Sequence, residues 1–152
     1  MYLPKASIDS VVAAVGDLGM GRDDVALIFL GEKNAPDLPR LVAALNQAGV
    51  RFMGGVFPGI LHGREAHYEG AILFSAPAIQ APYVIKNLNQ EPVNLPEFGP
   101  ELTTHKGNHF TAIVQADALC PNISTLLRHM INVLANAPHN IAGGPRSLSL
   151  KH

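Results

Sequence analysis

The stretch Phe110-Thr111-Ala112-Ile113-Val114 is an apolar run closed by Asp117, and it opens the segment 110–146 that decides the fold. A run of this kind reads as a buried strand. A helix is expected next, because Ile123, Leu126, Leu127, Met130, Val133 and Leu134 fall on one stripe of 3.6-residue period, with Pro121 and Asn122 as start signals. After a break at 136–138, Asn140-Ile141-Ala142 runs into Gly143-Gly144-Pro145-Arg146, as a strand delivers its carboxyl end to a tight glycine turn. The segment reads as a β-α-β unit ending in paired glycines.

The same punctuation occurs earlier. Val25-Ala26-Leu27-Ile28-Phe29-Leu30 is an apolar strand, 37–48 is a helix with Leu38, Leu41, Val42 and Leu45 on one face, and 50–53 leads into Gly54-Gly55. Two such units predict an α/β fold with a mixed or parallel sheet, right-handed crossovers and strand carboxyl ends gathered on one rim, where ligands of open α/β sheets bind. Glycines at these turns need no ligand to explain them, since they permit the turn by themselves.

Three motifs carry a resemblance to a known family. Gly54-Gly55-Val56-Phe57-Pro58-Gly59-Ile60, then Asp117-Ala118-Leu119 before a helix, then Ile141-Ala142-Gly143-Gly144-Pro145-Arg146-Ser147-Leu148, resemble the N-terminal half of FIST domains, in matching order across about 25–150. The chain departs from the family at Ala118, where a glycine is usual, and at Pro145-Arg146, where a small pair is usual. FIST domains are sensory modules of bacterial signal-transduction proteins and of some eukaryotic F-box proteins. The resemblance implies a non-catalytic sensory domain for small molecules such as amino acids, with Gly54, Gly55, Asp117, Gly143, Gly144 and Ser147 as ligand-binding candidates. It implies no cofactor and no metal. It also implies a C-terminal FIST half, which this chain, ending shortly after Leu148-Ser149-Leu150, would meet as a partner. Asp117 has a second role open to it, capping the loop before the helix.

Composition narrows the field. With 152 residues, 47% of them hydrophobic, the chain can bury a core, and a single domain over 1–152 is expected. Only 15% of residues are charged, against roughly 25% in an average soluble domain. Polar surface is therefore scarce, which favours self-association as a two-fold dimer or burial against a missing half or a signalling partner. A net charge of −1 and scattered basic residues argue against a nucleic-acid partner. The beginning Met1-Tyr2-Leu3-Pro4-Lys5 has no signal-peptide pattern, and the most apolar window, 70–85, is broken by Pro77, Gln80 and Pro82 and is too short to span a bilayer. A soluble, cytoplasmic protein without a membrane partner is expected, and a single cysteine agrees with a reducing compartment.

The remaining segments yield local expectations. Ser7 caps a first helix with Ile8, Val11, Val12 and Val15 on one face, and 16–21 ends it; its glycines precede a strand instead of following one, so they form a connector and not a phosphate loop. Asp37 caps the second helix and Gly49 is its C′ residue. The segment 57–69 reads as a solvated loop: His62 and His67 are five apart, which fits neither a helical pair nor alternation along one strand. Strands are expected at 70–75 and 83–88, and 89–100, with Pro92, Pro96 and Pro100, reads as an extended connection. His105 and His109 lie four apart without a third ligand at motif spacing. Cys120, between a strand end and a helix start, permits a Cys-His hydrolase to be drawn with either histidine, while packing is the commoner fate of a lone cysteine.

Overall fold

The structure is a computed structural model that describes residues 1–85, 88, 111–116, 120–133 and 139–143. Chain contacts divide it into two compact units, one containing Met1–Pro82 and one spanning Tyr83–Gly144, each described by itself. The class is α/β, with mixed strand pairing and three helices among the described residues.

The first unit is built on β2 (Asp24–Gly31), which sits inside a four-stranded sheet of order β1-β6-β2-β3. It pairs in parallel with β3 (Phe52–Phe57) and antiparallel with β6 (Ala71–Pro77), and β6 pairs antiparallel with β1 (Tyr2–Leu3). Val25, Ala26, Leu27 and Ile28 are all buried, so neighbours on opposite faces of β2 are both removed from water. That explains its continuous apolar run, since alternation is needed only where one face meets solvent. On one face Ala26, Ile28 and Leu30 pack with Val11 and Val15 of α1 (Ile8–Asp17) and Leu41 and Leu45 of α2 (Leu38–Gln47). On the other, the Phe29 ring meets Phe57 edge-on at 5.4 Å and Phe74 at 5.7 Å.

Both helices begin where the sequence says they should, and α2 ends there too, for identifiable reasons. Ser7 accepts from the Ser10 amide while the Ser10 hydroxyl accepts from the Ser7 amide, a reciprocal capping box. Asp37 accepts from the Arg40 amide at 3.0 Å. At the end of α2 the Gly49 amide donates to the Asn46 carbonyl and the Val50 amide to the Leu45 carbonyl, with Gly49 at φ +68; together these form a Schellman motif. In α1 the expected terminator moves: Gly16 lies within the helix, and Gly19 at φ +62 follows the C-cap Leu18.

The paired glycines differ from the expectation more sharply. Gly54 and Gly55 do not form a turn after a strand; they lie inside β3, opposite Ile28 and Phe29. Among the described residues neither has a positive φ. Gly54 is required for closeness instead, because a Cβ there would collide with the Ile28 carbonyl oxygen.

In the second unit, β7 (Thr111–Gln115) and β8 (His139–Gly143) pair in parallel, with α3 (Ile123–Val133) between them in sequence, so the late β-α-β unit is present. Gly143 closes β8, and Phe110, Leu134 and Gly144 lie outside the described residues. β7 is not a buried strand: Thr111 and Ile113 are exposed and alternate with half-buried neighbours. On α3 the expected stripe places Leu126 in the interior, 2% exposed, and leaves Ile131, which is off the stripe, in solvent. Asn122 is buried at the helix start; its carbonyl accepts from the Leu126 amide, and its side-chain amide donates to the Leu88 carbonyl at 2.8 Å. No strand forms at Tyr83, Val84 or Ile85. Tyr83 and Val84 are both exposed, although adjacent residues of a half-buried strand would alternate. Residues 86–87 and 89–100 lie outside the described residues.

Two alanine substitutions separate the roles of glycine. A Cβ at Gly16 meets nothing within 4 Å, so Gly16→Ala is expected to stabilise the protein by about 0.5–1 kcal/mol. Gly54→Ala is expected to cost about 1–3 kcal/mol, because β3 must move off Ile28. Urea midpoints check both, and an unchanged midpoint for Gly54→Ala removes the close-packing explanation.

Candidate functional site

An open recess of the first unit lies just past the carboxyl end of β2. Beyond Gly31 the chain stays bonded to its neighbours on both sides: the Glu32 amide donates to the Phe57 carbonyl and the Lys33 amide to the Tyr68 carbonyl, each at 2.8 Å. Gly31 itself donates to the Gly70 carbonyl at 2.9 Å. A Cβ on Gly31 would stand 2.6 Å from the Tyr68 oxygen and 2.8 Å from the Glu69 Cα, so only glycine lets the 68–70 backbone come this close. Gly70, at φ +90, turns that backbone into β6, and a Cβ there would strike the Leu3 carbonyl.

The segment 57–69 is not a solvated loop. β4 (Ile60–His62) and β5 (Glu65–His67) form an antiparallel hairpin whose Gly63-Arg64 turn has Gly63 at φ +65, the position that a type II′ turn reserves for glycine. Ile60 opposes His67 and His62 opposes Glu65, so these four residues share one face of the ribbon. The Tyr2 ring stacks on His62 at 4.5 Å with 17° between planes and lies 4.7 Å from His67, and the two imidazoles are 6.3 Å apart. Five-residue spacing, unfavourable along one strand, becomes a diagonal neighbour pair across two strands. The detectable signal was the two-residue loop Gly63-Arg64 between Leu61-His62 and Glu65-Ala66.

The resulting recess, about 490 Å³, is open to solvent. Its lining residues are Tyr2, Pro4, Lys33, Ala66, His67, Tyr68 and Glu69. Among the described residues Lys33 has no ion-pair partner. Glu69 accepts a hydrogen bond from the Asn34 side-chain amide at 3.0 Å, and Asn34 itself adopts φ +60, a conformation that asparagine tolerates better than most residues. His67 is 4.0 Å from Glu65 through its Nε2, a long contact to a carboxylate that is mostly in solvent.

Of the residues expected to bind ligand, Gly54, Gly55 and Gly143 do not line this recess. Gly54 and Gly55 are strand residues whose backbone is engaged with β2, Gly143 ends β8, and Asp117, Gly144 and Ser147 lie outside the described residues. His105 and His109 lie outside them as well, while Cys120 is a half-buried free thiol. Among the described residues no three His, Cys, Asp or Glu groups are grouped to hold a metal ion. None of their helices is long and apolar enough to cross a membrane. Comparison with protein-family models, with characterised proteins and with solved structures finds no match to this chain.

Asn34 offers a local test of the rim. Asn34→Ala loses the Glu69 contact and places a Cβ residue without a polar arm in the left-handed region, so a loss of about 1–2 kcal/mol is expected. Asn34→Gly removes the same contact without the strain and is expected to cost less than about 1 kcal/mol. Equal losses in thermal or urea unfolding contradict the strain at Asn34.

Proposed function

We propose that this protein is a non-catalytic sensory domain of intracellular signal transduction, similar to the FIST N-terminal half, that binds a small molecule of the amino-acid class. The single observation that carries this reading is the recess beyond the carboxyl end of β2, with Lys33, Glu69, Tyr2, His67 and Tyr68 among its lining residues. Its position supports the reading, since open α/β sheets receive ligands outside the carboxyl ends of their strands. So does its chemistry. A ligand carrying both a carboxylate and an ammonium meets a residue of each opposite charge among the lining, beside aromatic residues; a few polar groups against apolar surface are the usual make-up of a small-molecule site. Glycines serve here as spacers: Gly31 and Gly70 let the lining segments approach, and Gly54 seats β3 against β2. Cys120 is assigned to packing, and the protein is placed in the cytoplasm.

A second reading, a protein-interaction module that meets a C-terminal FIST half, a signalling partner or a second copy of itself, is favoured by Leu61 and Tyr68. They are 76% and 63% exposed on and beside the hairpin, more apolar surface than a solvated ribbon requires.

Isothermal titration with a panel of amino acids separates the two. At least one member is expected to give heats that Lys33→Met weakens by about tenfold or more, the loss of one charge-assisted hydrogen bond. Cys120→Ser is expected to leave those heats unchanged. A panel without heats contradicts the sensory reading and leaves the interaction module in its place.

A further inference from the structure

The sheet of the first unit treats its two edges differently. β1 closes one edge with only 2 residues, Tyr2 and Leu3. At the other edge β3 runs for 6 residues, Phe52-Met53-Gly54-Gly55-Val56-Phe57, without a charge or a proline. It has no bulge either, since its register with β2 is continuous from Ala26 opposite Phe52 to Gly31 opposite Phe57. Very short strands, edge charges, prolines and bulges are the devices that keep sheet edges from pairing, and β3 carries none of them. Among the described residues no strand pairs with its outer side. We propose that the outer edge of β3 is an interface for a second copy of this chain, the two β3 strands pairing antiparallel about a two-fold axis at Gly54 to give one continuous sheet. The inference is independent of what the recess binds.

Backbone direction selects both the occupant and the register. The Ala26 amide donates to the Arg51 carbonyl and the Glu32 amide to the Phe57 carbonyl, so the odd-numbered residues of β3 turn their polar groups toward β2. Alternate residues of a ladder turn theirs to the other side, which leaves the N–H and C=O groups of Phe52, Gly54 and Val56 on the open edge. The set is bounded at both ends: the Val50 amide is taken by the Leu45 carbonyl, and Pro58 has no N–H. A two-fold axis that makes two strands antiparallel stands perpendicular to the sheet, so it keeps each residue on its own face and pairs odd positions with odd and even with even. The outward residues are all even-numbered and meet this condition. With the axis at Gly54, that residue faces its own counterpart and Phe52 faces Val56 of the second copy, so every open donor and acceptor is paired, on the order of six hydrogen bonds. A shift toward either end brings in Val50 or Pro58 and loses donors. Side chains agree with the same register. On the face that carries the helices Phe52 stands against Val56 of the second copy, an aromatic against a β-branched residue, and on the other face Met53 stands against Gly55, a long side chain against a vacancy. The edge is thus its own complement, which is what an interface between identical copies requires.

The test is amide hydrogen exchange of the full chain over a series of protein concentrations, with sedimentation equilibrium alongside. The amides of Phe52, Gly54 and Val56 are expected to exchange about threefold more slowly for each tenfold rise in concentration once the dimer predominates, the mass-action dependence of the free monomer fraction. Those of Met53, Gly55 and Phe57, bonded to β2, are expected to show no such dependence. In dimers mixed from differently labelled copies, a nuclear Overhauser contact between the α-protons of Met53 and Gly55 is expected, because that pair faces across the ladder without exchanging hydrogen bonds. A monomer at every concentration overturns the inference. So do edge amides whose exchange ignores concentration, since fast exchange leaves the edge open and slow exchange assigns it to another occupant. A dimer that lacks the Overhauser contact overturns the register and with it the two-fold pairing at Gly54.

Discussion

The rim of the first unit depends on a backbone contact where β2 ends. Gly31 carries no side chain, so the Tyr68–Glu69 backbone can lie against it, and the next two amides are divided between the end of β3 and the end of the hairpin. Without that approach the hairpin would have no fixed position over Tyr2, and Lys33 would not share a recess with His67 and Glu69. Burial supplies most of the stability, through Leu45, Leu73 and Val11, each almost wholly removed from water. Burial is nevertheless indifferent to where the polar side chains of the rim fall. The glycine contact sets their geometry.

Local signals in the sequence were reliable where they rest on chemistry confined to a few neighbouring residues. Ser7, Asp37 and Gly49 cap their helices because a hydroxyl, a carboxylate and a left-handed glycine each act within one helical turn. The apolar run of β2 was legible because burial on both faces removes any need for alternation. Gly54-Gly55 was misread for a related reason. A turn and a close strand-to-strand approach both call for a missing Cβ, and only the partner strand, with the Ile28 carbonyl against Gly54, distinguishes them. β7 was misread because apolar composition alone does not say whether something covers it, and Ile113 stands 40% exposed.

The candidate site was less legible than the fold. Tyr2, Lys33 and the segment 67–69 are far apart in sequence and share the recess only through strand pairing, so no spacing rule finds them. The two histidines were weighed along one strand when they belong to two, and the Gly63-Arg64 turn that reverses the chain between them was the missed sign. Gly54-Gly55 pointed to a glycine turn, whereas the recess lies beyond the hairpin that follows them, beside Tyr68 and Glu69.

Native-state amide hydrogen exchange at Lys33 tests the Gly31 contact most directly. The Lys33 amide, bonded to the Tyr68 carbonyl, is expected to exchange as slowly as amides inside β2, and to lose that protection in Gly31→Ala while the Ala26 amide, bonded to the Arg51 carbonyl, keeps its own. A Lys33 amide that exchanges at the rate of a free loop in the wild-type protein would contradict the Gly31 contact and with it the recess built on that contact.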